Sequence, residues 1–126
     1  MASRDPRLLD SNLMLAWQKF YDFARNEGID LILTCTHRSL EEQGILYAQG
    51  RTSLGRIVTW AKPGQSKHNL NPSKAFDVAI VKDGKCVWDT EDKAWGIVGK
   101  IGLTVGLVWG GTWPKRKREF PHFEVG

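Results

Sequence analysis

Ala75-Phe76-Asp77-Val78-Ala79-Ile80-Val81-Lys82-Asp83-Gly84-Lys85-Cys86-Val87-Trp88 is the stretch that decides the architecture of this chain. Residues 76–81 are apolar or β-branched apart from one acid, which predicts a strand. Asp83-Gly84 is a strong two-residue hairpin signal, so residues 85–88 return as a second, antiparallel strand. Alternate side chains of a strand share a face. Phe76, Val78 and Ile80 therefore point one way, into a core, and Ala75, Asp77 and Ala79 point the other. A carboxylate flanked on its own face by two alanines has room beside it.

Working outward, Leu13, Trp17, Phe20 and Ala24 recur at intervals of four, three and four, which predicts a helix over 11–27 with Ser11 as N-cap and Gly28 as its stop. Residues 30–36 read as a buried strand. Ser39 and Glu42 form a capping box, opening a helix that carries Leu40, Gln43, Leu46 and Tyr47 and ends at Gly50. No period holds from Gly55 to Ser73, a long loop of the functional kind. A third helix is expected over 90–105, with Ala94, Trp95, Val98, Ile101 and Val105 on one face. Residues 107–109 and 120–125 close the order as strands around the Gly110-Gly111 break. The sum is an α+β domain, a small, mainly antiparallel sheet flanked by helices, filling residues 1–126 as one unit.

Composition bounds the function. A chain of 126 residues with 41% apolar and 25% charged residues carries one core and is neither disordered nor fibrous. Eighteen Lys and Arg against fourteen Asp and Glu leave a net charge of +4. Much of the excess is the run Lys115-Arg116-Lys117-Arg118, read as a solvated loop. No aromatic residue is interleaved in it and no nucleic-acid motif accompanies it, so nucleic acid is not an expected partner. Cys35 and Cys86 form no CxxC and imply no disulfide framework. The start, MASRDPRLLDSN, is charged where a secretory signal would be apolar, and no run reaches membrane-spanning length. Synthesis in the cytoplasm without a signal peptide is the expectation.

The chemistry gathers around three histidines, His37, His68 and His122. A lone histidine is more often structural than a ligand, so each needs a partner. Asp77 supplies one. His68 enters through the loop just upstream of Asp77. His122 lies in a strand where Phe123 and Val125 point inward while His122 and Glu124 share the opposite face. Two imidazoles and a carboxylate suit Zn²⁺, and three protein ligands leave a fourth position for water, the pattern of catalytic zinc. Glu119, three residues before His122, is placed to act as general base; strand alternation favours Glu124 instead.

Taken together, Ser66-Lys67-His68, Ala75-Phe76-Asp77, Gly106-Leu107-Val108-Trp109-Gly110-Gly111 and Glu119-Phe120-Pro121-His122 resemble the zinc D,D-carboxypeptidase and L-alanyl-D-glutamate endopeptidase family, which includes many bacteriophage endolysins. Thr36-His37-Arg38-Ser39 and Gln43, Leu46, Tyr47 and Gly50 are similar to its arginine-bearing strand end and following helix. The resemblance implies a D,D-peptidase or hedgehog-like zinc peptidase fold, with His68, Asp77 and His122 as zinc ligands and Glu119 as the base. It also implies that Arg38 binds substrate or polarises the scissile carbonyl, and that Ser66 contacts substrate; His37 falls outside the pattern. Two departures stand out: the His68–Asp77 loop is longer than usual, and Thr112 follows the Gly-Gly pair where the family often has an acid.

The expected function is zinc-dependent hydrolysis of a bond in peptidoglycan stem peptides, as an L-alanyl-D-glutamate endopeptidase acting as a monomer on the cell wall after release, in the manner of a phage lysis enzyme. A D,D-carboxypeptidase acting on terminal D-alanine is the alternative within the class. A non-catalytic zinc-stabilised wall-binding module is the alternative outside it, and Glu119 argues for the enzyme. A basic nucleic-acid binder is the weakest reading.

Overall fold

Strand β2 (Ala75–Lys82) is the axis of the molecule in a computed structural model that describes residues 2–126. One edge of β2 is taken by β1 (Asp30–Cys35), and the other is shared by β3 (Lys85–Val87) and β5 (His122–Val125). Strand β4 (Leu107–Trp109) lies outside β5, giving the order β1-β2-β5-β4 with β3 against β2, every strand pair antiparallel. The β2–β3 turn is as expected: Asp83 and Gly84 both adopt positive φ, 52° and 75°, the conformation that matches the twist of a two-residue hairpin.

Helices α1 (Ser11–Asn26) and α3 (Lys93–Thr104) cover one face of the sheet. Phe20 of α1 meets Phe123 edge-on at 4.7 Å and Phe76 at 5.8 Å, and Trp17 meets Phe76 at 5.4 Å. Phe20, Phe76, Val78, Ile80, Val98 and Phe123 are fully buried, so the inward set expected for β2 forms the core. Two of the three glycines of α3, each unfavourable for a helix by about 1 kcal/mol, have a packing reason. A Cβ on Gly102 would stand 2.3 Å from the Phe123 ring, and one on Gly99 2.4 Å from the Trp109 ring.

Two expectations are corrected. Asp10, not Ser11, occupies the N-cap of α1, and Ser11 is its first helical residue. Helix α2 (Leu40–Ala48) has the expected capping box, Ser39 Oγ accepting from Glu42 N at 3.0 Å and Glu42 Oε1 from Ser39 N at 2.8 Å. Leu40 is 57% exposed and Gln43 is the buried side chain of this helix. The helix packs by its polar Gln43, which bonds to the loop behind it. Finally, Ala75 and Ala79 lie on no open face. Both are fully buried, and residues 36–38 and 66–74 are bonded to one another beside Ala75, Arg38 N–H donating to His68 O at 2.9 Å and Ser73 Oγ lying 2.8 Å from Thr36 O and from Ala75 O.

The long His68–Asp77 connection is tied down at its far end. Ser73 N–H donates to Leu8 O at 2.8 Å, Asp10 N–H to Ser73 O at 2.9 Å, and Lys74 Nζ pairs with Asp10 at 2.9 Å. Asp77 therefore keeps its register, opposite His122 on one side and Cys35 on the other. Among the described residues no helix is long and apolar enough to cross a membrane.

Candidate metal centre

Sheet register brings the expected ligands together. Asp77 and His122 are direct cross-strand partners on β2 and β5, on the face away from the aromatic core. His68 arrives from a short 3-10 turn, Lys67–Asn69, capped by Ser66, whose Oγ accepts from His68 N at 3.2 Å. The outcome is that His68 Nε2 and His122 Nδ1 each lie 3.1 Å from the same oxygen, Oδ1 of Asp77. The two imidazole rings are 5.1 Å apart. His68 is 1% and His122 5% exposed.

The outer nitrogens settle the tautomers. His68 Nδ1 lies 2.8 Å from the backbone carbonyl of Thr36, which can only accept, so Nδ1 carries the hydrogen. His122 Nε2 lies 2.8 Å from Oε1 of Glu124, again an acceptor. In neutral imidazoles the inward nitrogens then bear lone pairs, and both face a carboxylate oxygen. Three acceptors turned on one another are favourable only around positive charge, either protons or a cation. The titration of the cluster follows: burial opposes charge on His68, yet the Asp77 carboxylate outweighs it and the imidazole is pushed up to about 10. His122 is raised against its burial by the same carboxylate and by Glu124. Asp77 is held well below the usual carboxylate range despite burial, chiefly by His68.

This donor set fits zinc, with His68, Asp77 and His122 inward and a hydrogen-bond acceptor behind each imidazole, the outer arrangement common to metal-binding histidines. A second combination, Cys35 with His68 and Asp77, also brings donor atoms within 4.8 Å. It is the weaker set. Cys35 Sγ lies 3.5 Å from His68 Nδ1, the nitrogen already committed to Thr36, and not from the inward Nε2.

Beside the cluster opens a cleft of about 340 Å³, lined by Arg38, Ser66, His68, Glu119 and His122 and walled by Trp60, Trp113 and Lys117. Glu119 is half-buried. Its carboxyl is raised, mainly by burial and also by the Asp77 charge, against the pull of the two histidines and Arg38. Its backbone is fixed by Glu119 N–H donating to Gly110 O at 3.0 Å, an approach so close that a Cβ on Gly110 would stand 2.3 Å from Glu119 O. Glu124, the other candidate base, is already engaged: Oε1 accepts from His122 and Oε2 pairs with Lys67 at 2.9 Å. Those bonds outweigh burial and keep its carboxyl below the ordinary value.

Arg38 is largely buried, with 12% of its side chain accessible. Its guanidinium donates to Gln43 Oε1 at 2.9 Å and stands 3.7 Å from Asp77 Oδ2. Ser66 lines the cleft, but its hydroxyl serves as the cap of the turn that carries His68. His37 stays out of the cluster; its carbonyl accepts from Ser3 N at 3.0 Å.

Three residues without an assigned part in the sequence reading belong to this region. Cys35 reaches the site face because a bulge between Leu33 and Cys35 shifts the register and sets Cys35 opposite Asp77, a device that period-2 alternation cannot reveal. Gln43, noted only as a helix residue, clamps Arg38 and donates to Ala61 O at 2.8 Å. Lys67 holds Glu124 and also donates to the Val125 carbonyl; its position beside His68 was the available signal.

Comparison with known proteins gives this arrangement its setting. The chain is 44% identical over 110 residues to the peptidoglycan L-alanyl-D-glutamate endopeptidase CwlK of Bacillus subtilis strain 168, an alignment covering 81% of this chain and 64% of that protein. The chain thus spans less than two thirds of that relative's length. Its fold is shared with the L-Ala D-Glu endopeptidase ChiX of Serratia marcescens (TM-score 0.65, 19% identity, 100% of this chain and 89% of that one). It is shared also with the D,D-pentapeptidase VanY of a VanB-type vancomycin resistance cassette, solved with Zn(II) (0.65, 17%, 93% and 72%). A third likeness is the LD-carboxypeptidase LdcB (0.69, 20%, 93% and 58%). The profile of VanY, D-alanyl-D-alanine carboxypeptidase, matches residues 6–103, a span that includes Arg38, His68 and Asp77 and stops short of Glu119 and His122. With more than half of its length matched, the chain belongs to the VanY D-alanyl-D-alanine carboxypeptidase family.

Proposed function

We propose that this chain is a zinc peptidase that hydrolyses a bond in peptidoglycan stem peptides, the L-alanyl-D-glutamate linkage, as a single catalytic domain acting as a monomer. The observation that carries the reading is the convergence of His68 Nε2 and His122 Nδ1 on Asp77 Oδ1 at 3.1 Å, at the wall of a cleft that also presents Glu119. The 44% identity to CwlK favours the endopeptidase bond.

His68, Asp77 and His122 would hold the ion. When bound, zinc supplies Lewis acidity that polarises a carbonyl and lowers the pKa of a water toward neutrality. Thr36 O and Glu124 keep the two imidazoles turned inward. Glu119, unengaged by His122 or Lys67, takes a proton from the attacking water on its carboxylate and returns it to the leaving amine nitrogen. Its raised pKa suits that traffic, since a stronger base accepts the proton more readily. Arg38, fixed by Gln43 and Asp77, offers the guanidinium edge that lines the cleft to a substrate carbonyl or carboxylate, and Ser66 shares that wall.

The test is digestion of purified peptidoglycan by zinc-loaded protein, with the new termini identified by mass spectrometry. A new alanine carboxyl terminus paired with a new glutamate amino terminus is expected. Release of free D-alanine instead would make the protein a D,D-carboxypeptidase, the activity named by its family. Binding without new termini would leave a wall-binding module. The lysis role rests on the same cleavage and is checked by clearing of bacteria exposed to the protein from outside.

A further inference from the structure

The basic run at 115–118 is exposed, as expected of a solvated loop, yet its backbone is ordered and held. Lys115–Lys117 forms a 3-10 turn in which Lys117 N–H donates to Pro114 O at 2.7 Å. The turn is clasped to the opposite wall of the cleft, Trp60 Nε1–H donating to Arg116 O at 2.9 Å, a bond between residues 56 apart in sequence. The Arg116 guanidinium lies 5.5 Å from the Trp60 ring, and Arg51 reaches the same ring at 5.5 Å. The clasp fixes where the turn's backbone runs, and Lys117 lines the cleft that holds His68, Glu119 and His122.

The charges of that cleft do not balance locally. Arg38 stands against Asp77, and Lys67 is paired with Glu124. Glu119 faces the histidine cluster, whose charges act on its carboxyl. Lys117 alone among the cleft's cations has no carboxylate partner among the described residues. An unmatched cation at a concave rim attracts an anion and selects for it.

We propose that Lys117 is a subsite for a free carboxylate on the residue next to the scissile bond. The inference rests on the peptidase reading above. When an alanyl–glutamate bond is cut, glutamate contributes its nitrogen to that bond and keeps two carboxyl groups. One continues the peptide, and the other remains as a carboxylate or, where it has been amidated, as a carboxamide. A carboxylate makes a charge-assisted hydrogen bond to the ammonium, and a carboxamide makes only the weaker neutral one. The protein therefore selects stem peptides that bear the free acid.

The experiment uses two synthetic stem peptides identical except for that one carboxylate or carboxamide. Both are given to the zinc-loaded protein, to Lys117→Met, to Lys117→Arg and to Lys115→Met, and cleavage and equilibrium binding are measured at low salt. The expected result is a preference for the acid of about tenfold in kcat/KM and in affinity, the order of one charge-assisted bond. It collapses toward unity in Lys117→Met and persists in Lys117→Arg. It also persists in Lys115→Met, which lowers the general positive field by the same charge. Equal treatment of the two peptides by the unaltered protein, or a preference that survives Lys117→Met, overturns the subsite while cleavage continues. Should neither peptide be cut but the acid still bind more tightly through Lys117, the peptidase reading falls and the subsite stands. No cleavage and no difference in binding overturns both.

Discussion

The metal cluster and the cleft walls sit side by side yet are held in place differently. Asp77 and His122 are cross-strand partners in a buried sheet, and His68 is bonded through both its backbone and its ring. The walls come from residues 59–66 and 113–119, which contain no strand, carry exposed Trp60 and an exposed basic turn, and meet through the Trp60–Arg116 bond. One region is over-determined by backbone pairing and the other is tethered at a point. The lesson is a division of labour: the sheet and its attached turn supply the geometry that chemistry needs, and the loops supply the surface on which substrates differ.

The largest effects are expected where the sheet region is broken. Replacing His68, Asp77 or His122 by Ala should remove the bound zinc, one ion per chain, and reduce turnover to background, because a three-ligand site has no spare donor. Metal content measured beside activity checks it. Full occupancy and activity in any one of the three variants would mean that Cys35 or another group is the true ligand.

Next is Glu119, which stands at the border of the two regions. Glu119→Gln should bind zinc normally and lose turnover by on the order of 10²- to 10⁴-fold. Glu119 works as its carboxylate, and burial raises its pKa, so the rate should rise with pH through a value above the ordinary carboxylate range. That acid limb should disappear in the Gln variant. Glu124→Gln is expected to behave differently, with zinc affinity falling about 10- to 100-fold, the usual cost of losing a partner behind a ligand histidine. If the two variants exchanged these behaviours, strand alternation would have identified the base and the spacing to His122 would not.

The core behind the sheet gives a smaller and purely structural contrast. Gly102→Ala drives a methyl into the Phe123 ring, which is fully buried, and should cost about 1–3 kcal/mol by overpacking. Gly96→Ala in the same helix meets nothing within 4 Å and should gain roughly 0.5–1 kcal/mol. Urea unfolding of the two variants compares them directly.

Which parts could be read in advance follows the same division. Period-2 alternation placed Asp77 on β2 and put His122 and Glu124 on one face of β5, and the capping box of α2 is a local signal that reads itself. The reason for Gly99 and Gly102 in α3 is two aromatic rings on β4 and β5, which the helix's own sequence does not show. The bulge that turns Cys35 toward Asp77 and the Trp60–Arg116 clasp are likewise long-range facts. Neither leaves a trace in spacing or composition, since each depends on which backbones end up adjacent.

The smallest effect is predicted at His37, and it is a demanding test because its neighbours both serve the site. Thr36 lends its carbonyl to His68, and Arg38 reaches Asp77 and Gln43. His37 lies between them, half-buried, and contributes its own carbonyl to the Ser3 amide. That bond belongs to the backbone and survives substitution. Its ring makes no hydrogen bond or ion pair among the described residues. His37→Ala should thus retain its zinc and keep turnover within about twofold, a barrier change of roughly 0.4 kcal/mol. A variant that stayed folded but lost its metal would show that the 36–38 segment holds the cluster through the imidazole ring. It would then join His37 to the over-determined region and redraw the boundary between sheet and wall.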